Sequence, residues 1–164
     1  MSVMKEYKYR SNVSAIIFDA NKRFLMVHKV DTPNRQLDFV KGGIGADETE
    51  KEALAREIRE EIGGNLEYEI INKSTIRLIY KWPKKLVDKF KYRGQDRKSY
   101  WVNFKSGEIE LDNKELSSYI WLDEKQMIQK LRKDRFSNSD VDILLKEWEI
   151  IKNNNNILFN SWLR

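Results

Sequence analysis

The 164-residue chain carries 35% charged and 40% hydrophobic residues, which suits one globular domain with a covered surface and excludes a disordered or low-complexity polymer. Cysteine is absent, so disulfides and thiolate metal sites are excluded; with no apolar signal region in MSVMKEYKYR and no apolar run long enough for a bilayer, the expected location is cytoplasmic, with no membrane partner. A formal charge of +5 implies a basic surface that attracts polyanions, although a lysine-rich solubility surface accounts for the charge equally well.

Residues 13–19 and 24–30 are apolar-rich runs separated by Asp19-Ala20-Asn21-Lys22, the pattern of a β-hairpin with Ile16, Phe18, Leu25 and Val27 as core candidates. His28, the only histidine, lies in the second run, where a packed or rim role is expected. A histidine-based phosphoryl relay is therefore unavailable, and general-base chemistry falls to carboxylates. Pro33 and Asn34 punctuate a loop, and residues 36–41 form a short strand with Phe39 in the core.

Residues 41–64, KGGIGADETEKEALAREIREEIGG, join a glycine-rich turn to a helix. Thr49 caps its first turn and Glu52 returns the bond as a capping box, so helix starts near Glu50. At about 100° per residue, Leu54, Ile58 and Ile62 share one stripe while Glu57, Glu60 and Glu61 share the adjoining arc. Gly63 and Gly64 end the helix, since glycine accepts a left-handed conformation without Cβ strain. Three exposed glutamates at such spacing repel by only about 0.2–0.5 kcal/mol per pair, so repulsion alone identifies nothing. The glycine turn at Lys41 to Gly45 changes that, because it leads backbone groups past the same face, and Arg56 is placed to fold back on Glu48 and pin the turn. Carboxylates with a main-chain carbonyl make an all-oxygen site suited to Mg²⁺ or Mn²⁺.

Residues 66–71 and 75–80 are two further strands separated by Asn72-Lys73-Ser74, and Trp82-Pro83 ends the second. Residues 77–98 interleave cations with Tyr80, Trp82, Phe90 and Tyr92, a pattern used for single-stranded nucleic acid; a solvated loop is the alternative. Residues 99–104 form a central strand with Tyr100, Val102 and Phe104 on one side. Glu108, Glu110, Asp112 and Glu115 follow in an acidic loop, the nearest supply of a further metal ligand. Residues 119–122 are a short strand, and Asp123 caps a helix over 124–133 with Met127, Ile128 and Leu131 inward. Residues 140–152 are a second amphipathic helix, broken by the polar run 153–156. The closing ILFNSWLR docks on the domain or meets a partner.

Gly42, five residues, Glu48, seven residues, then Arg56-Glu57-Ile58-Arg59-Glu60-Glu61-Ile62-Gly63 resembles the Nudix box of nucleoside diphosphate-linked hydrolases; only Gly64 departs, where an aliphatic residue is usual. The similarity extends to Tyr9-Arg10-Ser11-Asn12-Val13, to the stretch Tyr80-Lys81-Trp82-Pro83-Lys84-Lys85-Leu86-Val87, and to Gly94-Gln95, Glu115 and Trp121. These resemble the branch containing bacterial RNA 5′-pyrophosphohydrolases and dinucleoside polyphosphate hydrolases. The resemblance implies an α/β/α sandwich around a mixed β-sheet, with residues 1–152 as the domain and 153–164 as a polar linker and apolar tail. It implies Mg²⁺-dependent cleavage of a phosphoanhydride, with 5′-polyphosphorylated RNA or a nucleotide as substrate and no DNA. By position Glu57, Glu60, Glu61 and Glu115 resemble metal ligands, with catalysis falling to the first three. Arg10, Lys29 and Tyr80 resemble residues that meet the 5′ phosphates or first nucleotides, beside Gly42 and Gly43 of the turn, and Phe136 resembles a base-stacking aromatic. Glu48, Arg56 and Gly63 are the structural members of the box. Val40, Leu37, Lys29 and Ser137 stand where the branch often has proline, tryptophan, arginine and lysine; at Lys29 the charge is kept and the bidentate fork is lost. A diadenosine polyphosphate hydrolase, and a non-catalytic RNA-binding module of the same fold, are the rival readings.

Overall fold

The computed structural model describes residues 6–30, 37–134 and 136–160. Long apolar alternation dictates its centre. In β1 (Tyr9–Phe18) Val13, Ala15 and Ile17 face one side while Ile16 and Phe18 face the other, and β2 (Phe24–Lys29) alternates in the same way. Both faces are buried, so the sheet must be covered twice. On one face sits α1 (Glu50–Ile62), through Ala53, Leu54, Ile58 and Ile62; on the other sit α3 (Glu124–Arg132) and α4 (Asn138–Lys152), through Met127, Leu131, Val141, Leu144 and Trp148. Trp148 stacks on Trp101 at 5.8 Å, a large apolar area close to the molecular centre.

The topology explains where the glycine turn lies. β1 and β2 pair at Phe18 and Phe24, and the two strands separate beyond that tip. Between them run β3 (Leu37–Asp38), bonded to β2, and β4 (Val40–Gly43), bonded antiparallel to β1 with Asn12 opposite Gly43. The single strand expected over 36–41 is thus two, each with its own partner, broken at the buried Phe39. The opposite edge of β1 pairs in parallel with β6 (Gly94–Ser106), which also carries β5 (Glu67–Lys81) antiparallel. β7 (Leu116–Leu122) completes the mixed sheet on the outer edge of β2, starting three residues earlier than the pattern suggested.

Two further expectations are corrected. Asn72-Lys73-Ser74 does not separate two strands: β5 runs through it with register shifts, because Glu147 on α4 accepts hydrogen bonds from Ser74 Oγ (2.6 Å), Thr75 N (2.8 Å) and Thr75 Oγ1 (2.9 Å). Polar residues that look like a turn locally are satisfied there by a helix far along the chain. Within the cationic stretch, Lys84–Phe90 is a short helix, α2, ended by Lys91 in the left-handed conformation, rather than a loop. After α4 the chain turns back: Ile157 is buried, Phe159 packs edge-on against Trp148 at 6.0 Å, and Asn160 N donates to Ala20 O at 2.9 Å. That portion of the tail docks on the domain. The loop expected at Pro33 and Asn34, Gln36, and the last four residues lie outside the described residues.

Candidate active site

The helix that carries the glutamates is fixed at both ends. Thr49 and Glu52 form the reciprocal capping box, and Tyr100 donates from β6 to Glu50 at 2.8 Å. Gly63 ends the helix at φ +119. Beyond it the acidic loop covers the open carbonyls: Glu110 N donates to Ile62 O (2.9 Å) and Asp112 N to Glu61 O (3.3 Å). Val30 N bonds Glu115 O at 2.9 Å, so the same loop that closes the helix delivers Glu115 beside β2.

Arg56 ties the glycine turn to the helix. Its guanidinium donates to both oxygens of Glu48 (2.6 and 2.8 Å), to Gly43 O (2.8 Å), to Glu57 Oε1 (2.7 Å) and to Glu60 Oε2 (3.2 Å). Glu48 in turn accepts from Gly45 N at 2.7 Å. The Arg56 bond and the Gly45 amide hold the Glu48 carboxyl at about 2, so it stays ionised and the clamp stays closed across the working pH range. The absence of a side chain at Gly42 makes room for Glu57: a Cβ there would stand 2.0 Å from the Glu57 carboxyl carbon. The Arg10 guanidinium crowds Gly43 in a similar way, 2.5 Å from where a Cβ would be.

A cleft of about 370 Å³ opens at the separated ends of β1 and β2. Glu57, Glu60, Glu61 and Glu115 line it together with Arg10, Lys29, Lys41, Lys114, Asn12 and Gln95. The structure therefore brings together four of the predicted acids with Arg10, Lys29, Gly42 and Gly43. Tyr80 is set back from the cleft, its hydroxyl bonded to Gln95. Phe136 is elsewhere: it is 6% exposed and packs edge-on against Phe39 at 6.1 Å, within the core. As placed, that ring offers no face to a base. Sequence reasoning did not single out Lys41, Lys114, Gln95 or Asn12 as site residues. Lys41 had a signal, since it begins the glycine turn, and Asn12 and Gln95 lie in stretches that resemble the family; the pairing of β1 with β4 and β6 is what brings those two to the cleft.

The electrostatics are set by burial. Glu61 is 1% exposed and accepts from Lys41 N at 3.3 Å. Desolvation pushes its carboxyl up to about 8, with Lys29 opposing and Glu57 and Glu115 adding to the rise. Burial also raises Glu57, against the pull of Arg56. Buried carboxylates that resist ionisation together are a site with charge in deficit. A divalent cation fits: the donors are hard oxygens, and the Asn12 side-chain oxygen is a further buried acceptor with no hydrogen-bond partner among the described residues. Among the described residues no three acids stand close enough to form a ready-made cluster, Glu57 and Glu60 being held by Arg56.

A helix of carboxylates closing a cation-lined cleft is the layout of an enzyme that handles phosphate groups with a divalent ion. The profile of the NUDIX domain matches residues 8–142, and the chain belongs to that family. It is 38% identical over 118 residues to an RNA pyrophosphohydrolase of a Nitratiruptor species, covering 68% of this chain and 75% of that protein. It is 34% identical over 131 residues to an RNA pyrophosphohydrolase of Campylobacter jejuni subsp. jejuni, covering 76% and 83%. Among solved structures it resembles an Ap4A hydrolase of C. elegans in binary complex (TM-score 0.66, 15% identity, 88% and 99% of the two chains). It also resembles the E. coli dihydroneopterin triphosphate pyrophosphohydrolase (TM-score 0.61, 20% identity, 90% and 99%). Those likenesses establish the fold. No helix among the described residues is long and apolar enough to cross a membrane.

Proposed function

We propose that this Nudix hydrolase removes pyrophosphate from the 5′-triphosphate end of RNA in the cytoplasm, with Mg²⁺ as its ion and Mn²⁺ able to substitute. The observation that carries the reading is the mixed charge of the cleft, four carboxylates beside Arg10, Lys29, Lys41 and Lys114. Relatives at 34–38% identity named RNA pyrophosphohydrolase supply the substrate class. A polyphosphate needs both halves: cations to hold its oxygens, and acids to hold the ion that neutralises the rest.

Arg10, Lys29, Lys41 and Lys114 bind the phosphate chain and orient one anhydride bond towards the glutamates. Glu57, Glu60, Glu61 and Glu115 would hold the divalent ion, which when bound would offset phosphate charge and acidify water. Glu57 takes the proton of the attacking water on its carboxylate; Arg56, bonded to it at 2.7 Å, fixes its orientation. Attack at phosphorus breaks the bond to the bridging oxygen, and pyrophosphate leaves from a 5′-monophosphate end. Gln95, held by Tyr80, lines the cleft beside Arg10 and orients the first nucleotide.

The test is to incubate purified protein and Mg²⁺ or Mn²⁺ separately with 5′-triphosphorylated RNA, diadenosine tetraphosphate, ADP-ribose and oxidised dGTP. Pyrophosphate or successive phosphates released from RNA alone is the expected result. ATP with AMP from the dinucleotide would make the chain a diadenosine polyphosphate hydrolase instead, and RNA retained without products would make it a binding module.

A further inference from the structure

The surface that the cleft does not account for lies immediately beyond it, at the far end of the β5–β6 hairpin. Between Lys81 and Arg93 the chain has six cations, Lys81, Lys84, Lys85, Lys89, Lys91 and Arg93, against the single acid Asp88. None of the six has an ion-pair partner among the described residues; some exposed lysines elsewhere do, as Lys73 with Glu50 at 2.7 Å and Lys105 with Glu69 at 3.4 Å. The helix between them, α2, buries no residue at all. Its Phe90 is 47% exposed and its Leu86 is open, as are Tyr92 just after the helix and Ile79 on β5.

The display is ordered. Trp82 and Phe90 meet edge to face at 5.7 Å, and Arg93 lies over Tyr9 at 4.7 Å from the ring centre. Arg93 is tied to the body of the protein on both sides, donating from its amide to Lys8 O (3.1 Å) and accepting from Trp82 N (3.0 Å). The register sets its place: Tyr9 pairs with Gly94 and Arg10 with Gln95, so Arg93 stands two residues from Gln95 and Tyr9 one from Arg10, both of which line the cleft.

We propose that this hairpin end is a track for single-stranded RNA, receiving the nucleotides that follow the 5′ end held in the cleft. The proposal rests on the RNA reading given above and adds a second contact region to it. Exposed rings offer stacking faces that any base can use, and unpaired lysines meet phosphates with release of counterions, so the track is tolerant of sequence and sensitive to salt. A body of RNA anchored there raises the local concentration of its 5′ end at the glutamates.

Two variants test it, Lys84→Glu with Lys85→Glu, and Phe90→Ala; all three positions are exposed on a helix with no buried residue, so the core is untouched and the fold is retained. Turnover is measured on a 5′-triphosphorylated dinucleotide and on a strand of about twelve nucleotides, and binding is measured with a 5′-hydroxyl strand of the same length. Expected is a roughly tenfold fall in kcat/KM on the long strand and a similar fall in 5′-hydroxyl strand binding, with the dinucleotide unchanged. Equal loss on both lengths, or none on either, overturns the track and leaves the RNA reading standing. If no triphosphorylated RNA is hydrolysed, that reading fails, and the 5′-hydroxyl strand still decides the track. Binding to phosphatidylserine vesicles but not to RNA would also overturn it.

Discussion

Gly42 and Glu57 occupy adjoining space so tightly that a single added methyl at residue 42 would stand 2.0 Å from the Glu57 carboxyl carbon. The turn is therefore part of the site's geometry, and the carboxylate is held by what the turn lacks. Gly42→Ala would drive Glu57 out of its place between the turn and Arg56. Because a displacement of about 1 Å at a reacting group can cost on the order of 100-fold, kcat should fall by at least that factor while the melting temperature moves little. Unchanged turnover in this variant would mean that Glu57 does not act where it stands.

Removing carboxylate charge should separate chemistry from folding. Glu60→Gln keeps size and shape on an exposed part of the helix, so several orders of magnitude in turnover should be lost with stability nearly intact. Ion binding by calorimetry should weaken in parallel. Full activity in Glu60→Gln would remove that residue from the metal set.

Glu61 gives the site a pH signature. Its folded-state carboxyl titrates at about 8 against an ordinary value of 4.5, so the folded, ion-free protein holds a proton that the unfolded chain releases. The stabilisation is full below about 4.5 and is lost as pH rises towards 8, with a slope of up to about 1.4 kcal/mol per unit. Without divalent ions the melting temperature should therefore drop across that window, and Glu61→Gln should flatten the drop. Saturating Mg²⁺ should oppose it, and apparent ion affinity should rise with pH, since binding expels the proton. A melting curve indifferent to pH in the ion-free protein would contradict this.

Asp38 and Arg97 make a second, structural demand. Arg97 is 1% exposed and donates twice to Asp38, at 2.9 and 2.8 Å. Burial would raise the Asp38 carboxyl, but the charge and bonds of Arg97 outweigh it and hold the group well below the usual carboxylate range. Its contribution is present above the ordinary value and is lost only in strong acid, as pH falls towards the folded value, a window separate from that of Glu61. Asp38→Asn leaves a buried guanidinium without its counter-charge and should cost about 3–5 kcal/mol in urea denaturation. Replacing both partners with apolar residues of similar volume should cost far less.

What the sequence made legible was local. The helix α1 was readable almost to the residue, because Thr49, Glu52 and Gly63 sit within a turn of the boundaries they set. The carboxylate arc followed from helical spacing for the same reason. Long-range partners were not legible. The division of β3 from β4 depends on which strand each half bonds, and Asn12 and Gln95 reach the cleft only through sheet register. Phe136 matched an aromatic position of the resembling family, yet the packing of Phe39 against it decides its burial.

Glu147 is the sharpest case of such a distant partner. From α4 it accepts from Ser74, from Thr75 twice, and from the Trp101 indole N–H at 2.9 Å, so one carboxylate satisfies the irregular middle of β5 and the largest core ring. Burial raises its carboxyl, but these donors outweigh that and leave it below its ordinary value. Glu147→Ala strands four donors, some of them out of reach of water, and should cost roughly 2–4 kcal/mol. The Thr75 amide should also lose protection from hydrogen exchange, and Trp101 emission should shift as its N–H loses its acceptor. Glu147→Gln, which keeps one oxygen acceptor, should recover part of the stability. Were Glu147→Ala as stable as the parent with the Thr75 amide still protected, the turn-like triplet would be holding its extended conformation unaided, and the helix would not be what keeps β5 whole.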